Sequence, residues 1–375
     1  MFKLLSASKV KEQGILKELS IMKVAVGLSG GVDSSVVAAL LKKKGYEVLG
    51  ICMKIWDGTR SAVARHHACY GPGEIADIED ARTVAEKIGI PFYTFDLTGE
   101  YRSIVLNYFR EEYVAGRTPN PCIRCNQKIK FAELLEKARG RGIEFDYFAT
   151  GHYAKVEYDD GRKRYLLKKA RDLHKDQSYW LAFLSQEQLA KALFPLGEYT
   201  KDQVREIART SGLNTHDKPD SQDFFSGDHH QLLDVSEKPG AIVDKEGTVL
   251  GTHKGIWWYT IGQRKGLGIS SGTPLYVTAI DEKRNAIVVG PKEELAHEGL
   301  IATDLNCIAV PDITRAMKVT LKTRSTQEEI DGMVFPPHHG KVHVKFKEPQ
   351  LAITPGQAVV LYDEDRVVAG GIIES

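Results

Sequence analysis

Residues 23–45 read KVAVGLSGGVDSSVVAALLKKKG, and this stretch decides the fold. The apolar run KVAVGLS predicts a buried strand, and SSVVAALLKKKG predicts a helix closed by Gly45. Between them lies a glycine-rich turn. In that setting successive backbone N–H groups point into one cavity, and the helix N-terminus adds partial positive charge. Gly30 and Gly31 allow backbone conformations closed to other residues. Ser29, Ser34 and Ser35 add hydroxyls. Asp33 is out of place beside phosphate unless a magnesium ion lies between them. The plainer alternative is a capped helix start, with Asp33 or Ser34 satisfying free N–H groups. The whole Ser-Gly-Gly-x-Asp-Ser string favours a nucleotide, and it is neither the dinucleotide fingerprint nor the Walker loop.

Outward from this turn the chain keeps alternating. EVLGICMKIW and IPFYTFDL predict strands, IEDARTVAEKIG and YRSIVLNYFREEYVAG predict helices, and FDYFATGHYA predicts a strand ending in Gly-His. Strands alternating with helices of this length indicate an α/β fold with a doubly wound parallel sheet, which binds ligands at the carboxyl ends of its strands. Beyond residue 215 the text changes to short alternating runs split by glycines. From about residue 285, segments such as MKVTLKTRS, GKVHVKFKE and RVVAGGII predict a small β-barrel. The expected organisation is an extension over 1–21, a catalytic domain over 22–214, a small β-rich central domain over 215–284 and a C-terminal β-barrel over 285–375. The extension reads as a frayed helix, or else Met22 is the functional start.

With 375 residues, 42% hydrophobic and 27% charged, the composition is that of an ordinary globular protein. A formal charge of +1 excludes nucleic-acid binding by overall charge but leaves room for local basic patches. Five cysteines are too few, and odd in number, for a secreted disulfide framework. No apolar run approaches the roughly 20 residues that span a bilayer. A cytoplasmic location is expected, with no membrane partner.

The phosphate turn resembles that of the ATP pyrophosphatase (PP-loop) family. GICMKIW, TPNPCIRCNQKIKF, ATGHYA, KDQSYWL, KPDSQDF, YTIGQRKGLGI and TPGQ then occur in the order seen in tRNA-specific 2-thiouridylases. The resemblance runs from Met22 to the end. It implies an enzyme that adenylates the C2 oxygen of the wobble uridine and replaces it with sulfur, using ATP and Mg2+. It also implies tRNA and a sulfur donor, either a persulfide carrier protein or inorganic sulfide, as partners. Carried over by position, the ATP site comprises Gly27, Leu28, Ser29, Gly30, Gly31, Val32, Asp33, Ser34, Ser35, Met53 and Gly151. The tRNA contacts are Asn120, Pro121, His152, Lys175, Asp176, Gln177, Arg264, Lys265, Arg324 and Gln357. Read without the resemblance, Met53 fits ordinary strand packing as well as it fits an adenine contact, His152 is a hydrogen-bonded structural histidine, and the basic run DGRKRYLLKKARDLHKDQ is a solvated face.

The family pattern also breaks. Its usual motif is NPDxxCN, with a second cysteine in SQDICF. Here Cys125 keeps the first cysteine position, Cys122 replaces the aspartate, and Phe225 occupies the second cysteine position. Phenylalanine can neither carry sulfur nor close a disulfide, so the usual relay is lost. HHACYGPGE supplies another cysteine, Cys69. The leading expectation is a [4Fe-4S] cluster on Cys69, Cys122 and Cys125, with an open iron to bind sulfur. Alternatives are a Cys125 persulfide resolved by Cys122, a zinc site completed by His66 or His67, Cys125 acting alone, or no shared role. The expected catalytic residues are Cys125, Cys122 and Asp33. In the barrel, KTRSTQEE stands where the family often has RYR, so Ser325 removes the aromatic partner of Arg324. Two rival functions are another adenylating synthetase of the superfamily and a tRNA-binding or iron–sulfur homologue without catalysis.

Overall fold

The computed structural model describes residues 22–58, 68–215, 218, 223–225 and 228–375. In chain order, the N-terminal domain begins with β1 (Lys23–Gly27), α1 (Val32–Lys43), β2 (Glu47–Lys54), β3 (Ala68–Tyr70), α2 (Glu74–Ile88) and β4 (Phe92–Asp96). α3 (Thr98–Tyr101) then passes through a π-helical turn, Arg102–Leu106, into α4 (Asn107–Val114). α5 (Pro121–Arg124) leads into a second π-helical stretch, Cys125–Glu133, and α6 (Leu134–Gly140). There follow β5 (Tyr147–Ala149), the hairpin β6 (Ala154–Asp159) and β7 (Arg164–Lys169), α7 (Ser178–Leu181) and α8 (Gln186–Lys191). β8 (Ala192–Leu193), α9 (Lys201–Thr210) and β9 (Asp223–Phe225) complete the domain.

Five of these strands pair in parallel, in the order β4-β2-β1-β5-β8. The side chains of β1 alternate between two apolar layers: Val24 and Val26 join the layer that holds Val36 and Val37 of α1, and Ala25 joins the opposite one. Both faces of the sheet are therefore covered, as the doubly wound reading requires. The chain leaves β1 towards β2 on one side and later adds β5 on the other. This change of direction opens a crevice at the carboxyl ends of β1 and β5, where such sheets take their ligands. The phosphate turn follows β1 and Gly151 follows β5.

The segment around Cys69 contains a strand. β3 pairs in parallel with β9, Ala68 opposite Asp223 and Tyr70 opposite Phe225. A three-residue strand is too short for periodicity to mark; only its distant partner defines it.

The central domain carries β10 (Gly240–Val243), β11 (Val249–His253), β12 (Tyr276–Asp281) and β13 (Ala286–Gly290), ordered β11-β10-β13-β12. The last domain comprises β14 (Ala296–Cys307), β15 (Met317–Lys322), β16 (Ile330–Val334), β17 (Val342–Leu351), β18 (Ala358–Asp363) and β19 (Arg366–Ile373). β14 pairs with both β17 and β19, which closes these strands into a barrel. The β6–β7 hairpin joins it through Arg366 opposite Lys168. Here lies much of the basic run. Lys168 pairs with Glu157 and Asp365, Lys169 with Glu329, and Arg164 donates to the carbonyls of Ile308 and Cys307. These three charges stitch the hairpin to the barrel rather than forming a solvated face.

Candidate active site

The phosphate loop is held from three sides. Within it, the Ser29 N–H donates to Ser34 Oγ at 3.2 Å, and Ser35 Oγ donates to the Gly31 carbonyl at 2.7 Å. Gly30 has φ +73°, and a β-carbon there would stand 2.2 Å from the Asp77 carbonyl oxygen of α2. Only glycine combines that conformation with that approach. Gly31 is the N-cap of α1, and among the described residues no side chain caps this helix. The first N–H groups of α1 are thus left to a ligand or water, and the capped-start alternative fails.

Asp33 does not cap the helix because its carboxylate is engaged elsewhere. Lys201 Nζ, at the start of α9, donates to both of its oxygens at 2.8 Å, and Tyr153 Oη donates to Oδ1 at 2.8 Å. Lys218 Nζ lies on another side of the loop, 3.2 Å from the Gly30 carbonyl and paired with Asp77 and Asp80. Sequence reading missed Lys201, Tyr153 and Lys218. Lys201 did leave a signal. TKDQ is a capping-box pattern, and Thr200 and Gln203 form that box. A lysine inside the first turn opposes the helix dipole, so another interaction must hold it there.

The cysteines lie on β3, in α5 and at the start of the π-helical stretch. Asn120 caps α5 by accepting the Ile123 N–H, and Pro121 takes the first helical position. Cys122 is half-buried, Cys125 is buried and Cys69 on β3 is exposed. Burial pushes the Cys125 thiol up to about 11, with Lys130 working against that shift and Cys69 adding to it. The π-helical stretch explains the presence of Lys130. At roughly 4.4 residues per turn, a residue five positions on returns close to the face of Cys125, whereas α-helical winding would carry it away. Burial opposes the charge on Lys130, but Cys125, Cys69 and Cys122 more than offset it, and its pKa is raised. Tyr101, fully buried, is kept protonated by burial and by Cys125, Cys122 and Cys69.

Sharing an electrostatic neighbourhood is not the same as ligation. Among the described residues no three His, Cys, Asp or Glu side chains are grouped so as to hold a metal ion. The expected [4Fe-4S] ligand set of Cys69, Cys122 and Cys125 is thus not shown: Cys125 is buried, Cys122 half-buried and Cys69, on a separate strand, exposed. His66 and His67, the zinc alternative, lie outside the described residues.

The cysteine and phosphate regions meet at His152. Phe131, on the π stretch, packs with ring centroids 6.3 Å from His152 and 5.2 Å from Phe148 of β5. His152 Nδ1 lies 2.7 Å from Thr150 Oγ1. Desolvation, with the Lys130 charge, holds its pKa well below the usual histidine range, so the ring is neutral. Next to it, Gly151 packs on Asp33 and Ser34.

Comparison with known proteins agrees with this architecture. Family models match over three segments: the tRNA methyl transferase HUP domain over 22–225, its PRC-barrel domain over 232–291 and the aminomethyltransferase beta-barrel domain over 297–373. The tRNA-specific 2-thiouridylase MnmA of Endomicrobium trichonymphae is 47% identical, covering 94% of this chain and 99% of that protein. The chain belongs to the tRNA-specific 2-thiouridylase family. The MnmA 2 protein of Caldanaerobacter subterraneus subsp. tengcongensis is 50% identical, covering 94% of this chain and 98% of its own. Among solved structures, a 4-thiouridine synthetase–RNA complex with bound ATP overlaps 57% of this chain and 46% of that chain, at 15% identity and a TM-score of 0.33.

Within this family framework the carried-over positions fall into distinct groups. The phosphate-loop residues Gly27 to Ser35 and Gly151 come together. Met53, half-buried near the end of β2, packs against the core. Many of the positions expected to contact tRNA use their polar atoms inside the fold. The Asp176 carboxylate accepts the N–H groups of Ala170 and Ser178 and the Ser178 hydroxyl. Gln177 Oε1 accepts the Tyr153 N–H, and Lys175 follows the turn begun by Asp172. Arg324 donates to the Ala352 carbonyl and Thr354 Oγ1. Gln357 donates to the carbonyls of Thr118 and Pro119, clasping the cysteine loop from the barrel. Arg264 and Lys265 are exposed. Phe225 fills the core beside Tyr70, their ring centroids 6.1 Å apart.

Proposed function

We propose that this protein catalyses ATP-dependent 2-thiolation of the wobble uridine of tRNA, with Cys125 as the sulfur-bearing thiol. One observation carries the reading. The helix begun by Cys125 packs through Phe131 on His152, whose neighbour Gly151 rests on the phosphate loop. An adenylated base and a sulfur nucleophile would thus meet in one crevice.

The uridine C2 oxygen attacks the α-phosphorus of ATP, the bond to the β-phosphate oxygen breaks, and pyrophosphate leaves with that electron pair. The N–H groups at the start of α1 are aimed at the charge that develops there. The terminal sulfur of a Cys125 persulfide then attacks C2, and AMP leaves. A second thiol, assigned to Cys122, attacks Cys125 Sγ. This forms a disulfide and releases the 2-thiouridine, and an external dithiol reduces the protein. A persulfide carrier protein loads Cys125: the Cys125 thiolate attacks the carrier's terminal sulfur, and the carrier leaves as its thiolate. A magnesium ion accompanying ATP would be held mainly by phosphate oxygens, because Asp33 is already bound by an ammonium. The tRNA contacts proper are assigned to exposed basic side chains, chiefly Arg264 and Lys265, and the enzyme is assigned to the cytoplasm.

Pyrophosphate release from ATP that requires tRNA, together with mass spectrometry of tRNA nucleosides from a strain lacking the protein, tests this. Loss of 2-thiouridine is expected. Tenfold or greater pyrophosphate release without tRNA, or unchanged 2-thiouridine in a strain with no second such enzyme, overturns it.

A further inference from the structure

We propose that Lys201 supplies the positive charge that meets the departing pyrophosphate, with Asp33 and Tyr153 holding its ammonium at the phosphate loop. This inference rests on the ATP reading above and deepens it.

A carboxylate in the second position of α1, two residues after the paired glycines, would by itself repel the phosphates that the loop is shaped to hold. The fold removes that conflict by bringing Lys201 Nζ to 2.8 Å from both Asp33 oxygens. The lysine side chain is only 10% exposed. A buried ion pair gains little net stability over an apolar pair of the same shape, so bracing α9 against α1 does not by itself require one. Its position is informative. α1 and α9 pack together, and the pair joins their N-terminal ends. The positive ends of two helices and one ammonium thus flank a loop whose N–H groups have no side-chain cap among the described residues. The Tyr153 hydroxyl donates to the same carboxylate, and Lys201 lies 5.7 Å from the centre of the Tyr153 ring, which fixes the ammonium from a further direction. Lys218 differs. It grips the Gly30 carbonyl and two α2 carboxylates, and so shapes the loop from behind.

In the adenylation step the bond from the α-phosphorus to the bridging oxygen breaks, and its electrons move onto pyrophosphate. An ammonium already in place, needing no reorganisation, is worth most at that moment. Asp33 then positions the lysine.

The test uses the full chain, calorimetric binding of α,β-methylene-ATP and tRNA-dependent pyrophosphate release. Lys201→Met alone leaves Asp33 uncompensated and destabilises the fold, so the decisive variant is the double change Lys201→Met with Asp33→Asn, a neutral pair. We expect it to melt within a few degrees of wild type yet to release pyrophosphate about 100-fold more slowly. Lys201→Arg should retain a tenth or more of the rate. Asp33→Asn alone, which keeps the ammonium, should lose only about tenfold. A folded double variant working within threefold of wild type overturns the proposal and makes the pair structural. An Asp33→Asn enzyme as slow as the double variant overturns it in favour of Asp33. Wild-type protein that binds no ATP analogue overturns the ATP reading and this proposal with it.

Discussion

Gly151 lies so close to Asp33 that a β-carbon on it would stand 2.9 Å from the Asp33 β-carbon, and 2.9 Å from the Ser34 nitrogen. The backbone after β5 therefore presses directly on the start of α1. Gly151→Ala must displace one of the two, and the neighbour is helix backbone that cannot rotate away. ATP affinity is expected to fall at least tenfold with the melting temperature little changed, as measured by calorimetric titration. An alanine variant with wild-type affinity would show that this approach has no bearing on the nucleotide.

Cys125 should react slowly at neutral pH. Its thiol, pushed up to about 11 by burial, is almost wholly protonated there. Because the thiolate is the nucleophile, alkylation followed residue by residue by mass spectrometry should rise nearly tenfold per pH unit from 7 to 10. Replacing Lys130 with Met removes the cation that works against the shift and should slow the reaction further at every pH in that range. Cys125→Ser should abolish tRNA thiolation and leave binding of ATP unchanged.

Glu74 links stability to pH. Burial raises its pKa to about 7, although the N–H groups of Ile55 and Trp56 bind the carboxylate and oppose the shift. Between the unfolded value of 4.5 and about 7 the folded protein holds a proton that the unfolded chain has lost. Stability therefore falls as pH rises through this window, by up to about 3 kcal/mol. Glu74→Gln should flatten the dependence. Melting curves between pH 4.5 and 8 with equal slopes for both proteins would contradict this.

The barrel steadies the cysteine loop. Gln357 donates to Thr118 and Pro119, the Thr118 N–H donates to the Pro355 carbonyl at 2.8 Å, and Gly356 turns with φ +89° between them. Gln357→Ala should lower tRNA thiolation about tenfold while ATP binding is unchanged, because the cysteine loop loses two anchors that the phosphate loop does not share. Equal losses of both would indicate general destabilisation.

Phe225 is 2% exposed and packs on Tyr70, which stacks on Tyr101 at 5.4 Å. Phe225→Ala should destabilise the protein by about 3–5 kcal/mol in denaturant titration. A loss below about 1 kcal/mol would mean that the β3–β9 pair adds little to the fold.

Much of the architecture is legible in the sequence because it rests on local rules. Apolar runs mark β1, β2 and β4, glycines close α1 and α2, and the Ser-Gly-Gly-x-Asp-Ser string identifies the loop between β1 and α1. Short elements escaped notice. β3 and β9 have three residues each and exist by pairing across a long separation in sequence. The basic run between Arg162 and Lys175 looks the same in sequence whether its partners are water, RNA or carboxylates on another domain. In the fold, Lys168 and Lys169 have Asp365 and Glu329.

By itself the sequence determined the doubly wound sheet, the barrel and the phosphate loop, since periodicity and glycine placement act over a few residues. Only the tertiary structure decided which charges meet. Asp33 and Lys201 are 168 residues apart in the chain, and no local pattern relates them. It also set the three thiols at different depths around Tyr101 and Lys130, through a π-helical register and a strand pairing that composition does not encode. Coulomb interactions and burial depend on distance in space, and folding alone supplies that distance.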